Sequence, residues 1–307
     1  MRILISGGAG FIGSHVSEAF LKYGHEVLAV DNLFRGKKEN LPEAIPVKEI
    51  DIRDRKALSE VFDEFRPDLV NHHAAQVSVR ESVDDPAFDA DVNILGSLNL
   101  LDCCIKHQTG KFVFASTGGA IYGEQEKFPA PEEHQEKPLS PYAVSKLAVE
   151  KYLYFYEKTY GLKWVSLRYA NVYGPRQDPF GEAGVVAIFC QKMLADGQPV
   201  INGDGLQTRD FVYVEDVARA NLASLHSNFT GPVNIGTGEE TDINRIFHFL
   251  AELTGSKAEE NHGPAKPGEQ RRSVLDPGLA EKVLLWEPEV SLREGLKRTV
   301  EFFRENS

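Results

Sequence analysis

The chain has 307 residues, is 42% hydrophobic and 26% charged, and carries a formal net charge of −12. That composition excludes an intrinsically disordered segment, which could not bury enough apolar surface to order itself, and argues against bulk affinity for nucleic acid, which needs a basic surface. No apolar run approaches the ~18 residues of a membrane-spanning helix, and three cysteines without C-x-x-C spacing suggest neither a disulfide framework nor a zinc site.

The predicted elements begin with "RILIS", a buried strand, followed at once by "GGAGFIG" and a helix over 11–23. Gly7, Gly10 and Gly13 thus form G-x-x-G-x-x-G between a strand and a helix. Such a turn lets the backbone approach a pyrophosphate, with the N–H groups of the helix start facing the phosphates. This opening has no signal-peptide layout, so a cytoplasmic protein is expected.

The second strand, "EVLAVDNL", ends at Asp31. A carboxylate there accepts from both hydroxyls of an adenosine ribose and repels a 2′-phosphate, which favours NAD over NADP. Arg35, Lys37 and Lys38 follow closely and pull the other way. "PVKEID" predicts a third strand, ending at Asp51 and Ile52, where an adenine edge would lie. A helix over 55–65, the strand "DLVNHHA", a helix over 86–107, the strand "KFVFAS", a helix over 141–160 and the strand "WVSLRY" follow. Strands that read as continuous apolar runs and alternate with helices indicate an α/β, doubly wound parallel sheet covered on both faces.

The helix over 141–160 opens on "SPYAVSK". Ser140 suits its N-cap, Pro141 its first turn and Gly161 its stop. Tyr142 and Lys146 then lie one turn apart on one face. Past Ala170 the rhythm breaks into glycine- and proline-rich stretches with shorter helices, which predicts a smaller, interleaved C-terminal α/β lobe. The expected division is a Rossmann dinucleotide-binding domain over 1–171, with 209–233 returning to it, and a substrate lobe from 172–208 and 234–307.

With these pieces the chain resembles the nucleotide-sugar epimerase and dehydratase branch of the extended short-chain dehydrogenase/reductase family. The resemblance runs nearly end to end, through "GGAGFIG", "DNL", "DIRD", "HHAAQVSVRES", "DVNILGSLNLL", "STGGAIYG", "SPYAVSK", "LRYANVYGPRQ", "GDGLQTRDFVYVEDVARA", "NIGTG" and "KPGEQRRSVLD". It implies NAD-dependent epimerisation at C4 of a UDP-hexose, interconverting UDP-glucose and UDP-galactose through a 4-keto sugar. Tyr142 would be the acid/base and Lys146 the charge that favours its phenolate. Phe11, Ile12, Asn32, Ala74, Ala75, Gln76, Asn93 and Tyr169 would join the glycines, Asp31, Asp51 and Ile52 at the cofactor.

Many relatives place a serine or threonine four residues before the tyrosine of "STGGAIYG"; here that position is Gly118, and Thr117 or Ser116 would supply the hydroxyl. Gly118 and Gly119 also lack the Asp-Glu pair of the dehydratases, which disfavours elimination. Ser78, Asn171, Val185, Arg209, Lys266 and Glu269 would bind the nucleotide sugar, with Arg271 and Arg272 as alternative phosphate partners. Ser273 would leave room for a 2-acetamido group, extending the substrates to UDP-N-acetylhexosamines. The resemblance further implies a homodimer formed through two helices per subunit. The rival readings are a UDP-glucuronate 4-epimerase or decarboxylase, with Arg80 as the cation for the carboxylate, and a non-catalytic NAD-sensing protein of the same fold.

Overall fold

The computed structural model describes residues 1–180, 184–266 and 270–306. Its first half builds β1 (Arg2–Ser6), α1 (Phe11–Lys22), β2 (Glu26–Asp31), β3 (Val47–Glu49), α2 (Arg55–Phe65), β4 (Leu69–His72), α3 (Val79–Asp84), α4 (Pro86–Ala90), α5 (Gly96–His107), β5 (Lys111–Thr117), α6 (Gly118–Ile121), α7 (Pro141–Tyr160) and β6 (Lys163–Tyr169). The rest comprises β7 (Asn171–Tyr173), α8 (Val185–Leu194), β8 (Ile201–Asn202), β9 (Thr208–Arg209), β10 (Phe211–Tyr213), α9 (Val214–His226), β11 (Gly231–Ile235), β12 (Thr241–Asp242), α10 (Ile243–Thr254), β13 (His262–Gly263), β14 (Arg272–Ser273), α11 (Gly278–Leu284) and α12 (Leu292–Glu305).

Seven strands form one parallel sheet in the order β11-β6-β5-β4-β1-β2-β3. Chain order reverses beside β1, and in such sheets ligands bind outside the C-terminal strand ends at that reversal. One face packs on α2, α5 and α7 through Leu58, Phe62, Leu100, Val149 and Leu153. The other packs on α1, α9 and α11 through Val16, Phe20, Val217, Ala220 and Leu284. Fully buried rings such as Phe62 and Phe112 each contribute about 1.5–3 kcal/mol. A third core, with Phe189, Phe247 and Leu296, joins α8, α10 and α12 into a smaller lobe beside Tyr173 and Tyr213.

Local chemistry sets the element ends. Asp54 caps α2 by accepting from the Lys56 and Ala57 N–H groups, and Ser140 caps α7 by accepting from Ala143 N–H at 3.3 Å. Gly161 ends α7 at φ +73. Two differences from the sequence expectation stand out. The third strand stops at Glu49, because Asp51 turns back on itself and accepts the Arg53 N–H at 2.9 Å. The helix expected over 86–107 passes through a π-turn at Asp91–Leu95, an extra residue that turns Asn93 toward the loop after β4.

Candidate active site

The glycine turn lies flat against the end of β4. Gly7 has φ +68 and donates its N–H to the Val30 carbonyl at 2.8 Å; a Cβ on it would stand 2.5 Å from the Ala74 nitrogen. A Cβ on Gly13 would stand 2.1 Å from the Gly7 oxygen. Only glycines let α1 start this close to the turn, and Gly10 caps α1 without a side chain, leaving the N-terminal N–H groups to a ligand. Phe11 and Ile12 form the first turn of α1, both half-buried.

Asp31 sits at the tip of β2, 7% exposed, accepting from Ala9 N–H at 3.0 Å and Leu33 N–H at 2.8 Å. Burial raises its pKa above the ordinary value while the two N–H bonds oppose the rise. Of the cations that argued for NADP, Arg35 pairs with Glu81 at 2.9 Å and Lys38 with Glu49 at 3.3 Å. Asp51 is forked by Arg53 and accepts from the Asn32 amide at 3.0 Å, and the Arg53 bonds hold its carboxyl well below the usual range. Ile52 is a core residue packed over Gly96, where a Cβ would meet its Cδ1 at 2.6 Å.

Beyond β4, Ala74 and Ala75 face the glycine turn side of the cleft, half-buried, and a lattice of amides holds the loop that follows. The Gln76 N–H donates to Asn93 Oδ1 at 2.9 Å, and Asn93 Nδ2 returns a bond to the Gln76 carbonyl at 2.9 Å. Ser78, expected at the substrate, is 4% exposed and caps α3 by accepting from the Glu81 N–H at 3.1 Å.

The cap and first turn of α7 bring Tyr142 and Lys146 to the C-terminal ends of β4 and β5. Lys146 Nζ donates to the Ala115 carbonyl at 2.9 Å, lies 4.8 Å from the Phe114 ring centre and 5.8 Å from that of Tyr142. Burial brings its pKa down to about 8, opposed by the charges of Asp89 and Glu150. Burial, and next the Asp89 charge, push the Tyr142 phenol above its ordinary value. Tyr169 closes the adjacent strand end; its hydroxyl accepts from Asn221 Nδ2 at 2.9 Å and its ring stacks on His73.

The two hydroxyls offered in place of Gly118 part company. Ser116 donates to Glu150 Oε1 at 2.8 Å inside a buried cluster in which Arg168 holds the same carboxylate at 2.6 Å. It faces away from the cleft, which corrects the expectation of a catalytic role. Thr117 is half-buried and caps α6 by accepting from Ala120 N–H at 3.3 Å, leaving its own proton to donate. A Cβ on Gly118 would lie 2.5 Å from Leu275 Cδ1, so a side chain at this position would require Leu275 to move. Ser273, 3% exposed, faces the same turn: a Cβ on Gly119 would lie 3.3 Å from its hydroxyl.

From the smaller lobe, β7 carries Asn171, whose N–H donates to the Asp210 carbonyl at 2.8 Å, and β9 carries Arg209 in register with Ser273 of β14. Arg209 Nη1 donates to the Thr208 carbonyl at 2.7 Å. Val185 opens α8, and Lys266 is exposed. Glu269 lies outside the described residues. The alternative phosphate partners are engaged within the chain: Arg271 is forked by Asp204 at 2.7 and 2.9 Å, and Arg272 pairs with Glu240 at 2.8 Å, both exposed. Sequence reasoning missed Asp89, His73 and Glu150. Of these only Glu150, one turn beyond Lys146 on the same face, had a signal in the spacing.

A doubly wound parallel sheet with a glycine turn at β1, an acid at the end of β2 and a half-buried Tyr142 one turn before a buried Lys146 defines a dinucleotide-dependent enzyme of the short-chain dehydrogenase type. The chain belongs to the NAD-dependent epimerase/dehydratase family, whose model matches residues 3–236. The UDP-glucose 4-epimerase of Mycolicibacterium smegmatis is 43% identical over 313 residues, covering 100% of both chains. The crystal structure of the UDP-glucose 4-epimerase of Thermotoga maritima with UDP-glucose matches with a TM-score of 0.98 at 51% identity, covering 100% of this chain and 99% of that one. The UDP-glucose 4-epimerase of Thermus thermophilus complexed with NAD matches at 0.95 and 49% identity, covering 99% of each chain.

Proposed function

We propose that the protein interconverts UDP-glucose and UDP-galactose by reversible oxidation at C4 of the hexose, retaining its NAD. The observation that carries this is the Tyr142–Lys146 pair, with Lys146 buried and bonded to the Ala115 carbonyl of β5 and its Nζ 5.8 Å from the half-buried Tyr142 ring. Bound NAD supplies the reversible two-electron oxidation of the C4 alcohol. The cradle fits it: Gly7, Gly10 and Gly13 present helix N–H groups to a pyrophosphate, and Asp31 suits unphosphorylated ribose hydroxyls.

Tyr142 Oη takes the C4 hydroxyl proton and, once the 4-keto sugar has turned to present its other face, returns a proton to the C4 oxygen. A phenol of pKa about 10 is a weak base at neutrality. A nearby cation favours its phenolate, and Lys146 supplies one. Thr117 donates to the C4 oxygen in place of the hydroxyl absent at Gly118. Arg209, with the fork geometry that suits paired phosphate oxygens, holds the diphosphate, together with Asn171 and Lys266; the backbone at Val185 reads the base and Glu269 the uridine ribose. Ser273, small and set beside Gly119, leaves space at the sugar for a 2-acetamido group.

Among the described residues no helix is long and apolar enough to cross a membrane. Free, buried thiols at Cys103, Cys104 and Cys190 support a reducing, cytoplasmic setting. Leu95, Val144, Tyr152 and Phe155 are 54%, 50%, 40% and 47% exposed on the helices spanning 86–107 and 141–160, and support pairing of two copies through those helices.

The test is to incubate the purified protein, without added cofactor, with UDP-glucose, UDP-galactose, UDP-N-acetylglucosamine and UDP-glucuronate, and to follow the products by proton NMR. UDP-galactose appearing from UDP-glucose is the expected result. Conversion of UDP-glucuronate alone would transfer the site to the uronate reading, and no conversion of any sugar would leave an NAD-binding protein without this activity.

A further inference from the structure

We propose that Asp89 is a positioning residue of this site: its buried carboxylate grips the α7 turn that carries Tyr142 and Lys146 and sets a negative charge beside that pair. The proposal rests on the acid/base reading of that pair. Asp89 lies in α4 and is 0% exposed. It accepts from the Ser145 hydroxyl at 2.6 Å, from Asn93 Nδ2 at 2.9 Å and from Gln76 Nε2 at 3.4 Å. Those three residues belong to α7, to the π-turn and to the loop after β4, so one carboxylate ties together three walls of the cleft.

All three donors are neutral. A carboxylate withdrawn from water without a cation among its bonds is costly, and neutral donors offset that only in part. Lys146, the residue after Ser145, is the cation that bears on it. The groups around Lys146 show why Asp89 matters to the ammonium in turn. From α7 come Tyr142 and Glu150, from β4 and its end His72 and His73, and from α4 Asp89.

Burial holds both imidazoles neutral: His72 falls well below its ordinary value and His73 falls to about 3. Glu150 is forked by Arg168 and takes the Ser116 and Ser166 hydroxyls as well, so much of its charge is met where it stands. Lys146 bonds the neutral Ala115 carbonyl. Asp89 is the larger of the two carboxylate charges that oppose its desolvation, and Glu150 the smaller. The same negative charge holds the Tyr142 phenol up, so removing it lowers the pKa of both members of the pair.

Asp89→Asn keeps the shape and can keep the hydrogen bonds, while deleting the charge. In the holoenzyme, both limbs of the kcat/KM pH profile for UDP-galactose are expected to move to lower pH, by roughly one unit. Asp89→Glu, which keeps the charge, is expected to restore the wild-type limbs. Ser145→Ala, which removes a hydrogen bond and no charge, should lower the rate without moving them.

A readout independent of turnover is the 15N titration of lysine side-chain ammonium groups, with the Lys146 signal assigned by its loss in Lys146→Arg. Its midpoint is expected to fall by roughly one unit in Asp89→Asn. If that variant does not fold, Asp89→Ser carries the same expectation. An unmoved Lys146 midpoint overturns the proposal even where the rate falls. Absent epimerisation by the wild type, with the midpoint shift present, overturns instead the acid/base reading on which the proposal rests.

Discussion

At the scale of single residues, the site is built from side chains whose burial works against their charge. Lys146 is 4% exposed, and the fold lowers its pKa from 10.5 to about 8. Between those two values the unfolded chain binds a proton that the folded chain does not, so this group's contribution to stability rises with pH from about 8 to 10.5 and is least favourable below 8. Lys146→Met is therefore expected to stabilise the protein at pH 7 by about 1–2 kcal/mol, measured by urea denaturation, while abolishing epimerisation. A variant that is both inactive and less stable would show that the Ala115 bond outweighs the desolvation. Tyr142→Phe is expected to lower kcat at least about a hundredfold, the scale for losing a positioned acid/base, with bound NAD retained in the purified protein. Ser273→Tyr places a ring against Gly119 and is expected to reduce kcat/KM for UDP-N-acetylglucosamine about ten- to a hundredfold relative to UDP-glucose. An unchanged ratio would remove Ser273 from the pocket wall.

At the scale of elements, α1 and α7 deliver the chemistry because their starts are fixed by local contacts. In α7 the Ser140 hydroxyl, Pro141 and the αL Gly161 fix where the helix begins and ends, and thereby the rotation that points Tyr142 and Lys146 at the strand ends. In α1 the device is contact between backbones. A methyl on Gly13 would enter the space of the Gly7 carbonyl, an atom that cannot swing aside as a side-chain end could. Gly13→Ala is expected to displace the start of α1, with loss of copurifying NAD and a lower Tm; NAD content equal to wild type would show that the turn does not hold the dinucleotide. The π-turn at Asp91–Leu95 works differently. It spends one residue of helical regularity to bring Asn93 onto the Gln76 backbone.

At the scale of the whole molecule, Leu95, Val144, Tyr152, Tyr154 and Phe155 expose apolar surface on the helices spanning 86–107 and 141–160. Phe155→Asp combined with Leu95→Glu is expected to yield a monomer in sedimentation velocity at micromolar concentration where the wild type sediments as a dimer. A wild-type monomer would refute pairing through these helices. Placing charges there leaves the Tyr142 face of α7, which points inward, untouched.

What the sequence determined by itself follows from short-range physics. Apolar runs separated by helical spacing required a parallel sheet, and β1, β2, β5, β6, α1, α2 and α7 lie where caps, glycines and periodicity put them. The glycine turn, Asp31 and the Tyr142–Lys146 spacing were legible for the same reason: each is a local backbone or helix-face requirement. Tertiary structure alone decided which polar groups are spoken for. Ser116 and Thr117 are neighbours on one strand, yet one donates into the buried Glu150–Arg168 pair and the other, half-buried, caps α6. Arg271 and Arg272 have acidic partners, Asp204 and Glu240, that lie far from them in the chain. The space beside Gly118 is filled by Leu275, far along the chain, and Asp89 meets Ser145 only where α4 meets α7. Charge, hydrogen-bond capacity and free volume belong to pairs of residues brought together by folding, and such pairs leave no period or spacing in the chain to read.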